Sequence, residues 1–445
     1  MARGWPTARW WPAARSWPAA RWWRGGRSRF DLASVLFCGY LVTLPLQHAA
    51  ALRNLFLYTS LAAVAASLWR REVQWPRADK SVFLLLAYAL VAVAALLASQ
   101  VDMARSFREV RSELLVQLYV LGFALLYVRN RPSPLPLLLA LAGGFVLLTL
   151  LSVFSLLRAG LGGLELLSAG FHLRDIAPGY GLNAQFYLPI LVGGLAVFPL
   201  PRAGRLLLVP VAVTAFALAV WYNTTSAVVL VSLHLIFVTL RYLHLRLRIA
   251  PSRLAIAGLA AAMAATLLLH DEGYKKIKAQ LEFVSEGNYF HLLSNRAGMW
   301  AIGVECAAHA PWHGYGYGQK KVALVCSDEA YLRPARERGN FMADYFRAED
   351  YGKVSLHNQY LENWLISGWL GALLWLAFFL AACRSAWAKR GPDGLQQLVV
   401  LPTLLIFLAG CFFNGLWEGP AMSKGLMLIL ALALAQRGSS PGPRA

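Results

Sequence analysis

Between Ser355 and Asn363 the chain crowds His357, Asn358, Gln359, Glu362 and Asn363 into two turns of helix, just before an apolar run without a charge until Arg384. An imidazole is neutral near pH 7 and can take a proton from a reacting group, so His357 is a candidate general base with Glu362 near enough to orient or tune it. The same residues would also serve as an ordinary helix start, with Ser355 as the cap and Asn358, Gln359 and Glu362 facing water. Candidate anion-binding groups lie upstream. Arg296 and Trp300 are four apart on one face of a helix that Ser294 or Asn295 can cap, and Arg105, Arg108 and Arg111 follow one another at spacing three. Arginine suits phosphate because its planar fork donates two parallel hydrogen bonds. The arginine triplet fits equally an interfacial helix snorkelling to headgroups. Arg174 is either a ligand-binding cation or the partner of Asp175 beside it.

The stretch Pro311–Lys321 contains the sequence GYGYG. It lacks the lysine and hydroxyl residue that close a phosphate-binding loop, so it reads as a tight turn whose tyrosines can stack on a ligand. Metal-binding acids are scarce: Gln47–Asn54 has no Asp or Glu, and the long segment 270–357 has no D-x-D pair.

Such residues must be positioned by the rest of a chain of 445 residues, 58% hydrophobic and 14% charged. Soluble domains carry about 25% charge. Apolar runs of about 20 residues recur, enough to cross the hydrocarbon of a bilayer. The expected fold is an all-α integral membrane protein with about twelve spans, near 32–49, 52–69, 81–98, 113–128, 135–157, 183–200, 205–221, 224–240, 252–269, 358–382, 396–413 and 420–436. The chain then divides into a tail 1–30, spans one to nine in 31–269, an outer helical segment 270–357, spans ten to twelve in 358–436, and a tail 437–445. Most Lys and Arg of the short loops fall on one side, which places both termini in the cytoplasm and 270–357 outside. The net charge of +20 is thereby explained by topology. Spread over membrane loops with no recognisable module, it excludes nucleic acid as a partner.

Within 270–357, Ile277, Leu281 and Val284 have the spacing of an amphipathic helix, and 327–353, charged with both signs, reads as a mobile loop. The Trp/Arg repeat at 5–28 reads as a disordered tail or an interfacial anchor. Cys306 and Cys326 share the outer segment, where they can form a disulfide or remain buried thiols.

Four motifs follow in order: Arg296/Trp300, Pro311/Gly314/Gly316/Gly318, His357/Asn358/Tyr360/Leu361 and Gly368/Trp369/Leu370/Gly371. In that order and placement the chain resembles the bacterial O-antigen ligase and polymerase superfamily. The resemblance implies a multi-span glycosyltransferase without a cofactor. It would take a glycan from undecaprenyl pyrophosphate at the periplasmic face of the Gram-negative inner membrane. A ligase passes it to lipid A–core, completing lipopolysaccharide; a polymerase passes it to another lipid-linked unit, and a third branch to protein hydroxyls. The resemblance assigns His357 as base and Arg296 to pyrophosphate, with Arg174 a looser match. Arg108 and Arg111 join them by topology, and Asn358, Tyr360, Glu362 and Trp300 as supports. Arginines in place of a metal imply metal-independent transfer with inversion at the sugar. The rival from another class is a transporter or flippase of lipid-linked sugars. It should show repeated halves and charges at mid-membrane, which the sequence lacks.

Overall fold

The computed structural model describes residues 29–76, 79–98, 102–131, 133–160, 180–198, 202–221, 230–240 without 231 and 235, 271–318 without 294, 321–347, 354–389, 394–414 and 420–435. The repeat at 5–28, Arg174 and the expected span 252–269 lie outside them.

Among the described residues every regular element is helical. Seven helices come first: α1 (Arg29–Thr43), α2 (Ala50–Trp69), α3 (Val82–Ala98), α4 (Met103–Asn130), α5 (Leu135–Arg158), α6 (Tyr180–Val197) and α7 (Arg202–Trp221). An insert follows with α8 (Asp271–Ser285), α9 (Arg296–Ala308), α10 (Lys321–Cys326) and α11 (Glu329–Glu337). The chain then returns to α12 (Gln359–Ala388), α13 (Leu401–Phe413, entered through a π turn at Gln396–Val400) and α14 (Pro420–Leu434). Five described helices, Gln47–Trp69, Met103–Asn130, Leu135–Arg158, Gln359–Ala388 and Gln396–Phe413, are long and apolar enough to cross a membrane, and α3 and stretches of α7 and α14 are shorter apolar helices. This fits a multi-pass membrane protein.

The surrounding solvent explains why these helices are apolar on both faces. On α2, Leu52, Leu55 and Tyr58 are exposed; on α3, Phe83, Leu86, Leu90 and Leu97; on α5, Leu147, Leu150, Leu151, Phe154 and Leu157. The opposite faces, with Val64, Leu85, Tyr88, Leu138 and Phe145, are buried in the main core. A helix apolar all round satisfies its backbone internally and asks only for neighbours or lipid outside.

The first and fourth spans differ from those expected. The first span ends at Thr43, because Pro45 disfavours helix in the residue before it. The fourth begins at Met103, ten residues early, because the Asp102 carboxylate accepts the Arg105 N–H (3.3 Å) and caps the helix. A π turn at Val110–Leu114 carries it on into the apolar stretch.

The insert has its own core of Met299, Ile302, Leu332, Ala335, Phe346 and Leu356, closed by Leu365 of α12. The charged stretch after 327 is therefore not the loop that its composition suggested. Asp328 caps α11 through the Ala330 N–H (2.9 Å), and α11 buries Leu332 and Ala335 while turning its charges outward. Helix α8 forms as expected, but Leu281 and Val284 of its apolar stripe are exposed. Cys306 of α9 and Cys326 of α10 are joined as a disulfide, with Cα atoms 5.7 Å apart and both residues fully buried.

The disulfide closes a loop of 20 residues. Removing such a cross-link costs about 3 kcal/mol by loop-closure entropy. Cys306→Ser in the full-length protein should therefore lower the temperature at which proteases first cut the insert. An unchanged cleavage temperature would show that packing alone holds α9 to α10.

Candidate functional site

Helix α12 is two helices joined across Gly368, whose backbone leaves the helical region (φ 66, ψ 178). The break strands carbonyls of the first half. The GYGYG loop supplies their partners: Tyr315 N–H donates to Leu365 O (2.8 Å) and Gly316 N–H to Ile366 O (3.0 Å). A side chain at Gly368 would run into the carbonyl oxygen of Trp312, and one at Gly314 into the backbone at Ile366–Gly368. That close approach is why the loop is glycine. Its tyrosines are not free to stack on a ligand as the sequence suggested: Tyr317 is buried in the main core and Tyr315 packs on the insert core.

The first half of α12 starts at Asn358, not at Ser355. Asn358 is extended (φ −147, ψ 103) and its side-chain oxygen accepts from the Tyr360 N–H (3.1 Å) and the Leu361 N–H (3.2 Å). Ser355 is too far upstream to cap and does something else. Its hydroxyl donates to Glu362 (2.7 Å) and accepts from the His357 N–H (3.0 Å). The same carboxylate oxygen accepts the Leu356 N–H (2.8 Å). Glu362 therefore acts on His357 through the backbone, reaching it by way of Ser355.

These bonds hold His357 in a left-handed conformation (φ 49), which is rare for any side chain but glycine and needs surrounding support. Trp300 adds to it: the indole N–H donates to Leu356 O (3.0 Å) while its ring packs edge-on to Phe412 of α13 at 5.1 Å. Tyr360 ties the helix to α13 through its hydroxyl on Leu408 O (2.8 Å).

Arg296 opens α9 and comes within electrostatic reach of His357. Asn295 stands at the cap position but is left-handed (φ 69) and makes no side-chain cap bond; Ser294 lies outside the described residues. The Arg296 Nη1 donates to Leu293 O (3.3 Å), while its Nε is buried with no partner. Burial lowers the guanidinium's affinity for its proton. Burial also pushes the His357 pKa down to about 4, with the Arg296 charge as the second cause, so the imidazole is neutral at pH 7.

Of the other expected cations, Arg174 lies outside the described residues. Arg105 binds Glu109 one turn on (3.4 Å), and Arg108 and Arg111 are exposed. Arg105 and Arg108 line a shallow groove with Asp102 and Glu109. Gly318 sits against the Glu109 carboxylate. Lys321, missed in the sequence because a lysine beside a loop carries no distinguishing signal, is buried and donates to Tyr315 O (2.8 Å). Burial lowers its pKa to about 8, against the opposing pull of Asp102 and Glu109. It locks the glycine loop to the insert.

Residues 210–376 match the model of a family described as O-antigen ligase. Over that stretch the chain is similar to the O-antigen ligase family. The matched stretch contains Arg296, Trp300, the glycine loop, His357 with its supports, and the break at Gly368. No curated protein matches the chain.

The His357–Arg296 pair carries a pH dependence. The unfolded chain takes up the His357 proton near 6.5 and the folded one at about 4, so stability is lost as pH falls from 6.5 through 4 and is fully present above. Arg296→Gln should shift this window upward, though burial keeps it below 6.5. Carbethoxylation of His357 against pH, read by peptide mass, measures it; an unmoved midpoint would mean that burial alone sets the value.

Proposed function

We propose that this chain is an O-antigen ligase. It moves a glycan from undecaprenyl pyrophosphate to a hydroxyl of lipid A–core at the periplasmic face of the inner membrane. The observation that carries the reading is the pairing of a neutral, backbone-clamped His357 with the half-buried Arg296, at the seam between the insert and α12–α13. A sugar hydroxyl is a poor nucleophile until a base takes its proton, and a neutral imidazole can do so. The leaving pyrophosphate needs cations, and Arg296 offers an unpartnered donor.

In the step, the acceptor oxygen bonds to the anomeric carbon as its proton passes to the His357 imidazole. The bond from that carbon to the pyrophosphate oxygen breaks, and the electron pair leaves with undecaprenyl pyrophosphate. A single displacement inverts the anomeric centre. The Arg296 charge depresses the basicity of His357. A bound pyrophosphate offsets that charge, so the imidazole becomes a better base when the donor is in place. Arg174, Arg108 and Arg111 are assigned to the donor's phosphates on sequence grounds. Asn358, Tyr360, Glu362 and Trp300 keep His357 in place. Both termini are assigned to the cytoplasm by the distribution of basic loops. The reaction is read as metal-independent because the first outer loop carries no acid and 270–357 no D-x-D pair.

The test uses purified protein with lipid-linked glycan and lipid A–core in detergent, with EDTA present. Wild type should shift the lipopolysaccharide band, and His357→Ala should lower the rate by about 10²–10⁴ without loss of fold. Elongation of the donor with lipid A–core untouched would make it a polymerase, and glycan on protein hydroxyls the third branch. Passage of the donor across a bilayer with no transfer would make it a flippase. Full activity in His357→Ala would sink the mechanism.

A further inference from the structure

The transfer chemistry leaves a second polar cluster unused, inside the bundle at the end that meets the insert. Glu113 lies in the π turn of α4, one turn beyond the Glu109 that abuts Gly318. Lys424 of α14, 9% exposed, is within electrostatic reach of Glu113 and of Arg53 in the first turn of α2. Arg53 reaches in turn toward Tyr40 of α1 and Tyr187 of α6, while its Nη1 donates to Leu44 O (3.3 Å). Lys424 thus has a carboxylate and a second cation within reach, and among the described residues no ion pair closes between them.

The surrounding polar groups lack partners. Gln117, four residues after Glu113 and on the same face of α4, is fully buried with neither amide atom bonded. The hydroxyls of Tyr40, Tyr88 and Ser423 are also buried and unbonded, and Tyr88 is within reach of Glu113. Native folds rarely leave so many buried polar atoms unpaired in one place, unless something polar occupies it. The groups on offer are mostly donors around a net positive charge: an ammonium, a guanidinium, an amide and phenols. Arg53 and Glu113 are half-buried, so the cluster opens to the outside. Of the helices that form it, α2 and α4 show apolar outer faces, over which an alkyl chain can lie.

We propose that Arg53, Lys424 and Gln117 form an anion site, distinct from the His357–Arg296 pair, that takes a phosphate or pyrophosphate group. Glu113 is its counter-charge when empty. The site stands on these residues alone and does not depend on the transfer reaction.

The experiment measures binding to the full-length purified protein by calorimetry with two probes: inorganic pyrophosphate alone, and polyprenyl phosphate in phosphatidylcholine nanodiscs. Lys424→Gln should weaken binding by about tenfold or more, the loss of one charge-assisted hydrogen bond. Glu113→Gln should tighten it, by removing the competing carboxylate. Tighter binding of the lipid than of free pyrophosphate identifies a headgroup as the ligand; the reverse identifies a free anion. If Glu113→Gln weakens binding or leaves it unchanged, the cluster is a structural ion pair and the proposal fails. That variant decides the matter even where Lys424→Gln does not fold. Loss of transfer in His357→Ala has no bearing on this result, so the two readings fail separately.

Discussion

Two backbone amides, those of Tyr315 and Gly316, fill the hydrogen bonds that α12 loses where it breaks at Gly368. An unpaired carbonyl within a candidate membrane-crossing helix is costly, and irregular backbone persists there only where protein satisfies it. The glycine loop therefore cannot leave α12, nor α12 straighten, without stranding polar groups. Much else is hung on this joint. Lys321 pins the loop from the insert side, and the disulfide ties its helix, α10, back to α9. The Leu365 side chain completes the insert's own core. The seam between insert and bundle is thus one hydrogen-bonded and packed unit.

On that seam the catalytic candidate is held through its backbone. His357 has its own N–H on Ser355, the preceding carbonyl on Trp300, and the following residue acting as the helix cap. Its left-handed backbone is a local cost that these contacts offset. The same geometry removes water from the imidazole and brings a guanidinium near it, and both effects favour the neutral ring. A ring that is neutral at pH 7 follows from that placement.

Part of this was readable residue by residue. Among the described residues the apolar runs became helices near the expected places, because a helix that is apolar on all faces has few alternatives in a bilayer. His357, Arg296 and Trp300 were legible from type and spacing. Three readings failed for one reason. Ser355 as cap, the tyrosines as ligand platforms and 327–353 as a loop each assigned a residue to its local environment. In the structure each answers to a partner outside its own turn: Ser355 to Glu362, Tyr317 to the main core, and Leu332 with Ala335 to the insert core.

Composition and short-range spacing were enough to set the solvent, the helical class and the kinds of chemistry present, since those depend on contacts within a few residues. Which groups meet was left to the packing of the helices. It joined His357 to Arg296 and gathered Arg53, Glu113 and Lys424 from three helices. Pairings of that kind depend on how helices far apart in the chain come together, and on which polar atoms are left without water when they do. No local pattern records that outcome.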